Sequence, residues 1–257
     1  MMNLEKVGQG MTTIVYRDAY KAIKLYPVGT SLEAIENEMK WQKQAHTLGI
    51  PVPEVYGINR FDDGTIGLEM QYIDGEPLMK PNMTPGEVRS GLSTLVDLQR
   101  GIHQHSGDGF PLQVEQIKIK IDRNTSVEPE TKAQLLRLLE TLIGEELVLC
   151  HGDFHPFNVI KDGDAYWIID WVDASSGNPK GEVCRVYLIL KQFASGLAEG
   201  YLDVFCQKSG FAKADILAWM PIMATTRLTE GGFDEQALKM LMDMIDDWKD
   251  DVSSSRS

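Results

Sequence analysis

Cysteine is scarce in this chain. The three present, Cys150, Cys184 and Cys206, form no CxxC pair. An odd count at such spacing argues against a disulfide framework or a zinc knuckle and suits reduced thiols, so a cytoplasmic setting is expected. Long apolar runs are missing too, and without roughly 18 consecutive apolar residues no membrane span is expected. The opening "MMNLEKVGQG" has no apolar core of the kind a secretory leader needs. Positive charge is in deficit: 25 Lys and Arg face 38 Asp and Glu, a net charge of −13. No basic cluster offsets that field, so nucleic acid is not expected as a partner. There is no G-x-x-x-x-G-K-[ST], which removes the P-loop as a way of holding phosphates. Internal repeats and low-complexity tracts are absent as well, apart from the terminal "SSSRS", read as a frayed tail.

What is present suffices for a substantial core. Hydrophobic residues make up 43% and charged residues 25% of 257 positions, enough for one large domain or two modest ones. The first 75 residues read mainly as strands. In "EKVGQGMTTIVYRDAYKAIKLYP" apolar runs are broken by a glycine pair and by Arg17-Asp18. Ser31 to Leu48 reads as a helix with acidic early turns, stopped by Gly49. "PVPEVYGI" and "TIGLEMQYI" read as further strands, and "DGEPL" as a turn and a boundary. Beyond it the period becomes helical over Thr84 to His105 and Pro129 to Ile143. "ELVLC" and a hairpin over "NVIKDGDAYWIID", turning at Asp162-Gly163, follow. Pro179 to Asp251 reads as helices. The expected fold class is α+β: a small antiparallel β lobe over 1–74 and a larger, mainly helical lobe over 75–257.

The stretch "VLCHGDFHPFNVI" sets two histidines, an aspartate, a proline and an asparagine between apolar runs. It matches the kinase catalytic loop H-R-D-x-x-x-x-N except that Gly152 replaces the Arg. Such a loop needs an Asp, here Asp153, to reach the attacking hydroxyl, and an Asn, here Asn158, to turn back toward metal on the phosphates. A second carboxylate belongs across a short hairpin, where Asp170 stands in "WIIDW". Two other readings are open: a merely polar turn, and His151 with His155 as an i, i+4 metal pair, which Gly152 and Pro156 disfavour because that pair needs a helix. Upstream, "GQGMTTIVY" puts Gly8, Gly10 and Val15 in the register of G-x-G-x-x-G-x-V, with Thr13 in place of the third glycine. "KAIK" resembles V-A-I-K and singles out Lys24. Its acidic partner on the following helix is sought among Glu33, Glu36 and Glu38, with Glu38 favoured.

Taken together, these motifs resemble the aminoglycoside phosphotransferase and choline-kinase-like family of small-molecule kinases, and the resemblance runs over nearly the whole chain. "HGDFHPFNVI" is similar to its catalytic loop, "EMKWQKQAHTLGIPVPEVYG" to its helix-C region, "LEMQYIDGEPL" to its hinge and "IIDWVDASSGNPKGEVCRVYL" to its metal-binding segment. The resemblance implies a protein-kinase-like bilobal fold and ATP- or GTP-dependent phosphoryl transfer onto a hydroxyl. It implies Asp153 as catalytic base, Asn158 and Asp170 as Mg2+ ligands, and Lys24 with Glu38 as phosphate clamp. Backbone of Gln71, Tyr72 and Ile73 would meet the nucleotide base, and His151, His155 and Glu182 would support the loop. Glu182 stands where the family commonly has an Asp, and Val172 where an acidic residue is frequent, which leaves Asp173 as either a substitute substrate contact or a simple loop carboxylate. In the last third Leu238, Leu241, Ile245 and Trp248 follow helical spacing and are expected to face the core, with Asp243, Asp246, Asp247 and Asp250 elsewhere around that helix, near Glu230, Asp234 and Glu235. This acidic surface is either a solvated helix face or, if it borders the cleft beside Asp153, the site of a small cationic acceptor such as an amino sugar or amino alcohol. A neutral sugar, a homoserine-like amino acid, and a kinase-like protein without transfer activity are the alternatives.

Overall fold

A computed structural model describes residues 5–10, 13–144 and 147–254, with backbone only at 252 and 253. Met11 and Thr12 of the glycine turn, and positions 255–257 of the expected frayed tail, lie outside the described residues. The chain runs β1 (Glu5–Gln9), β2 (Ile14–Asp18), β3 (Lys21–Tyr26), α1 (Leu32–Thr47), β4 (Val55–Arg60), β5 (Ile66–Gln71), β6 (Glu76–Pro77), α2 (Pro85–Ile102), α3 (Gln113–Arg123) and α4 (Pro129–Leu142). It continues with β7 (Val148–Cys150), a 3-10 turn (Pro156–Asn158), β8 (Val159–Asp162), β9 (Ala165–Ile168), β10 (Ser175–Gly177), α5 (Pro179–Phe193), α6 (Ser195–Ser209), α7 (Lys213–Leu217), α8 (Met220–Arg227) and α9 (Glu235–Ser254).

These elements form two compact units. One holds Met1–Met83 and Pro156–Asp173; the other holds Thr84–His155 and Ala174–Ser257. The boundary therefore differs from the expected break after Asp74. The reason is pairing that sequence patterning does not reveal. β6 pairs with β8 (Glu76 opposite Lys161), and the Leu78 N–H donates to the Val159 carbonyl at 2.8 Å. The Ile168 N–H donates to the Pro51 carbonyl at 2.7 Å, which ties the β8–β9 hairpin to the same unit.

In the first unit a five-stranded antiparallel sheet has the order β1-β2-β3-β5-β4. Strand periodicity puts alternate residues of β3 on one face. Ala22 and Tyr26 on that face pack with Ile35 of α1 and with Val55, Leu68 and Met70. The β8–β9 loop is Gly163-Asp164, because Asp162 pairs with Ala165, so the turn lies one residue later than expected. Gly163 has φ +57°, a left-handed conformation that glycine adopts cheaply.

The second unit is mainly helical. α2 opens on a complete capping box, Thr84 with Glu87, and carries Pro85 at its first turn. α5 is buried continuously from Gly181 to Leu190. Gly181 lets α5 approach closely, since a Cβ there would lie 3.0 Å from the Trp219 ring. In α9, Leu241 and Ile245 are buried as expected, but Leu238 is 41% exposed, a correction to the expected apolar face. Asp243, Asp246, Asp247 and Asp250 are exposed along the same helix.

Candidate functional site

Each unit carries a polar cluster that holds candidate residues. In the first, Lys24 sits on the core-facing side of β3 and Glu38 on the buried face of α1, in helical register with Ile35, Gln42 and Ala45. Glu33 and Glu36 are exposed, so periodicity selects Glu38 over its rivals. Lys24 Nζ lies 2.7 Å from Glu38 Oε1 and 3.0 Å from Asp170 Oδ1. The Tyr26 hydroxyl donates to Glu38 Oε2 at 2.5 Å. Burial disfavours the charged Lys24 amine, but the two carboxylates outweigh it and hold its pKa above the ordinary value. Burial raises the Glu38 carboxyl, with the Lys24 charge opposing.

Asp170 has φ +68°, a left-handed backbone that a non-glycine residue adopts at a cost. Asn158 is buried at the end of the 3-10 turn, and its carbonyl accepts the Ile169 N–H at 3.0 Å. That bond closes the open end of the β8–β9 hairpin. It brings the residue carrying the amide beside the segment carrying Asp170. An amide oxygen and a carboxylate are hard donors of the kind Mg2+ takes, so this pair fits such an ion.

Gly8 pairs with Val15 across the β1–β2 ladder, and the Gly10 N–H donates to the Thr13 carbonyl at 2.9 Å. The N–H groups of Gln71 and Tyr72 are spent on the Glu54 and Tyr20 carbonyls. Of the three residues expected to meet a nucleotide base, only Ile73 keeps an N–H without a hydrogen bond among the described residues. Asp173, the expected substrate contact, is half-buried at the end of this unit.

In the second unit the loop after β7 carries Asp153. His151 is fully buried, and its Nδ1 accepts the Asp153 N–H at 3.3 Å. His151 and His155 lie in a loop and not on a helix, which removes the basis of the i, i+4 metal pair. Glu182 of α5 accepts the Gly152 N–H at Oε1, 2.8 Å away. Its Oε2 lies within hydrogen-bond distance of His103 Nε2 and accepts from Gln99 Nε2 at 3.4 Å. Glu182 thus braces the loop, one methylene longer than the Asp the resemblance would supply. Burial pushes its carboxyl up, but His103 and the Gly152 N–H outweigh that and hold it below the ordinary range. His103, Cys150 and Glu182 bring ligating atoms within 4.8 Å of one another. Both Glu182 oxygens are already taken by N–H groups, so this trio is a brace.

Arg185 completes the cluster. Its Nε donates to the Gly152 carbonyl, and its two terminal nitrogens reach Asp153 Oδ1 at 3.4 Å and Glu230 Oε1 at 2.6 Å. His155 Nε2 stands 3.4 Å from Asp153 Oδ2. Burial raises the Asp153 pKa, but the His155 hydrogen bond and the Arg185 charge prevail and hold it well below the usual carboxylate range. Asp153 is therefore ionised at neutral pH and can accept a hydroxyl proton.

Glu230 is surrounded by cations: Arg185, Arg227 at 2.8 Å and Lys120 at 3.1 Å. This corrects the expectation that it would contact a cationic substrate, because its charge is already neutralised. Asp234, its acidic neighbour, accepts the Ala237 N–H and caps α9.

Three residues escaped sequence reasoning: Tyr26, His103 and Arg185. Arg185 left a signal, a lone arginine in the apolar helix "EVCRVYLIL", which must find partners if buried.

The sequence of residues 21–217 matches the model of the phosphotransferase enzyme family. Among solved structures, aminoglycoside phosphotransferase APH(4)-Ia, in a ternary complex with AMP-PNP and hygromycin B, aligns at 15% identity with TM-score 0.66, covering 95% of this chain and 93% of that one. A choline/ethanolamine kinase family protein from Mesorhizobium loti aligns at 17% identity with TM-score 0.61, covering 95% and 84%. An aminoglycoside 2'-phosphotransferase-IIIa mutant with GDP aligns at 13% identity with TM-score 0.64, covering 100% and 94%. No curated protein matches the chain. At these identities the structures speak for the fold alone, a kinase-like arrangement of antiparallel sheet and helices. The family match spans well over half of the sequence, and the chain belongs to the phosphotransferase enzyme family, whose members are small-molecule kinases.

Proposed function

We propose that this enzyme moves the γ-phosphoryl group of ATP or GTP onto a hydroxyl of a small molecule. The observation that carries the reading is the buried Lys24 ammonium, held charged between Glu38 and Asp170, since it could meet phosphate oxygens once Mg2+ took up the charge of Asp170. Lys24 would orient the α and β phosphates, Gly8 and Gly10 would let the β1–β2 turn cover them, and the Ile73 N–H would meet the base. Asn158 and Asp170 would hold Mg2+, which when bound supplies charge neutralisation on the phosphates.

Asp153 accepts the hydrogen bond of the acceptor hydroxyl. As the new O–P bond forms and the bond to the β-phosphate oxygen breaks, the hydroxyl proton passes to Asp153 and the nucleoside diphosphate leaves. A carboxylate held this acidic is a weak base, so its main work is orientation, with proton transfer late. That suits a loose transition state in which the attacking oxygen bonds weakly to phosphorus. His151, Glu182 and Arg185 fix the loop that presents it.

The finer expectation of a cationic acceptor draws support from the aminoglycoside complex and from the choline/ethanolamine kinase relative. It draws none from Glu230, which is neutralised, or from the exposed aspartates of α9, two of which pair with Lys239 and Lys249. The test is transfer from γ-labelled nucleotide with Mg2+, using water as the fallback acceptor. Wild-type protein is expected to release or transfer label and Asp153→Asn to lose both. Equal rates in the two proteins would overturn the reading.

A further inference from the structure

The second unit holds a cleft of about 450 Å3 between the end of α3 and the loop after α8. That volume is of small-molecule size. Its wall includes Lys120, Arg123, Thr125, Ser126, Thr229 and Glu230. Two salt bridges connect it to the catalytic aspartate: Glu230 to Arg185, and Arg185 to Asp153. Resting on the phosphotransferase reading above, the geometry points to this cleft as the acceptor site and to an acceptor that carries an anionic group, a carboxylate or a phosphate, beside its hydroxyl.

The argument is one of charge. Glu230 is the one carboxylate on the wall among the described residues, and Lys120, Arg185 and Arg227 all converge on it. Four cationic side chains, counting Arg123, stand against two carboxylates, Asp153 and Glu230. A local positive excess is unexpected by composition in a chain of net charge −13, so it belongs to this place and not to the average surface. Arg123 is exposed at the end of α3 and has no ion-pair partner among the described residues. Its guanidinium offers paired N–H groups, the geometry that carboxylate and phosphate accept.

The rest of the wall is shaped to present donors. Asn124 is buried, donates to the Thr225 carbonyl at 2.9 Å and accepts the Ser126 N–H at 2.8 Å. This fixes the turn on which Thr125 and Ser126 stand. The hydroxyls of those two residues make no hydrogen bond among the described residues, leaving them for a ligand's oxygens. An ammonium group placed in the cleft would meet Arg123 and Lys120 with no uncompensated carboxylate to hold it. It would be repelled where the family's aminoglycoside ligands are cations.

The test uses matched three-carbon probes with wild-type protein and Mg2+–AMP-PNP. Glycerate and glycerol 3-phosphate carry the anion, glycerol is neutral and 2-amino-1,3-propanediol is cationic. Binding is read by calorimetry and by thermal shift. The anionic probes are expected to bind about tenfold or more tightly than the other two, the worth of one charge-assisted hydrogen bond, and to weaken at high salt. Arg123→Glu, an exposed change that spares the core, should abolish that preference while leaving AMP-PNP affinity intact, and Arg123→Lys should retain part of it. Preference for the amine, failure of every anionic probe to bind, or unchanged anion affinity in Arg123→Glu would overturn the proposal. If AMP-PNP itself does not bind, the phosphotransferase reading fails instead, so the two failures are distinguishable.

Discussion

Replacing Lys24 by Met removes the cation between buried Glu38 and part-exposed Asp170 and nearly keeps the side chain's volume. Lys24 and Glu38 are 7% and 2% exposed, so the carboxylate left behind cannot turn to water. Breaking a buried pair in this way costs about 3–5 kcal/mol, because one charge remains uncompensated. Part of that cost is relieved by Tyr26, whose hydroxyl still donates to Glu38 Oε2. More is relieved if Glu38 takes up a proton. In the variant the Glu38 carboxyl, already raised by burial, loses the charge that opposed the rise. The folded state then binds a proton that the unfolded state releases. The variant's stability is therefore fully retained below the unfolded carboxylate value of about 4.3 and falls as pH rises through the raised folded value. Urea unfolding of wild type and Lys24→Met at several pH values between mildly acidic and mildly alkaline measures this. The deficit should widen with pH, and Tyr26→Phe in the same background should widen it further. A deficit of less than about 0.5 kcal/mol, independent of pH, would mark Lys24 as a surface lysine and refute the triad as described.

Asp153→Asn should lower turnover by about 10²-fold or more while nucleotide affinity stays near normal, because the group that orients the hydroxyl and takes its proton late is lost, measured by steady-state transfer alongside calorimetry. Asp170→Ala should impair Mg2+-dependent nucleotide binding more than Asn158→Ala, because a carboxylate brings charge to the metal and an amide only a dipole; a fluorescent nucleotide titrated with Mg2+ reads this. Glu182→Gln should cost about 1–3 kcal/mol of stability, since His103 and the Gly152 N–H lose a charged acceptor, and thermal melts give the value. Asp153, Glu182 and Glu230 all have depressed pKa values, so the stability they contribute is present above the ordinary carboxylate range and is lost as pH falls below it. Melts from neutral to strongly acidic pH should show that loss, and an acid-insensitive midpoint would contradict it.

The candidate residues of the loop are legible from spacing, because the kinase loop that the sequence resembles has a fixed one. Asp153 and Asn158 must share one loop, and a helix period separates Glu38 from Glu36. Residues that act through distant partners could not be read so. Arg185 meets Asp153 and Glu230 only once α5 has folded against the loop, and His103 lies 79 positions from Glu182. The helix α3 went unread because "IKIKI" alternates as a strand would, yet Ile117 and Ile121 are buried and Ile119 is 50% exposed, a helical spacing set by packing. The domain boundary was misplaced for a similar reason: β6 is two residues long and exists only through its pairing with β8. Charge was the least legible property. Counting acidic residues in the last third suggested an acidic acceptor surface, but Glu230 is enclosed by cations and Asp234 caps a helix.

The central claim is that Lys24, Asn158 and Asp170 hold a metal-bound nucleoside triphosphate. Calorimetric titration of AMP-PNP into wild type, Lys24→Met and Asp170→Ala, each with Mg2+ and with the metal chelated, tests it without knowledge of the acceptor. The account predicts Mg2+-dependent binding to wild type, weakened in Lys24→Met and insensitive to Mg2+ in Asp170→Ala. No binding to wild type, or equal binding by all three proteins regardless of metal, would contradict it.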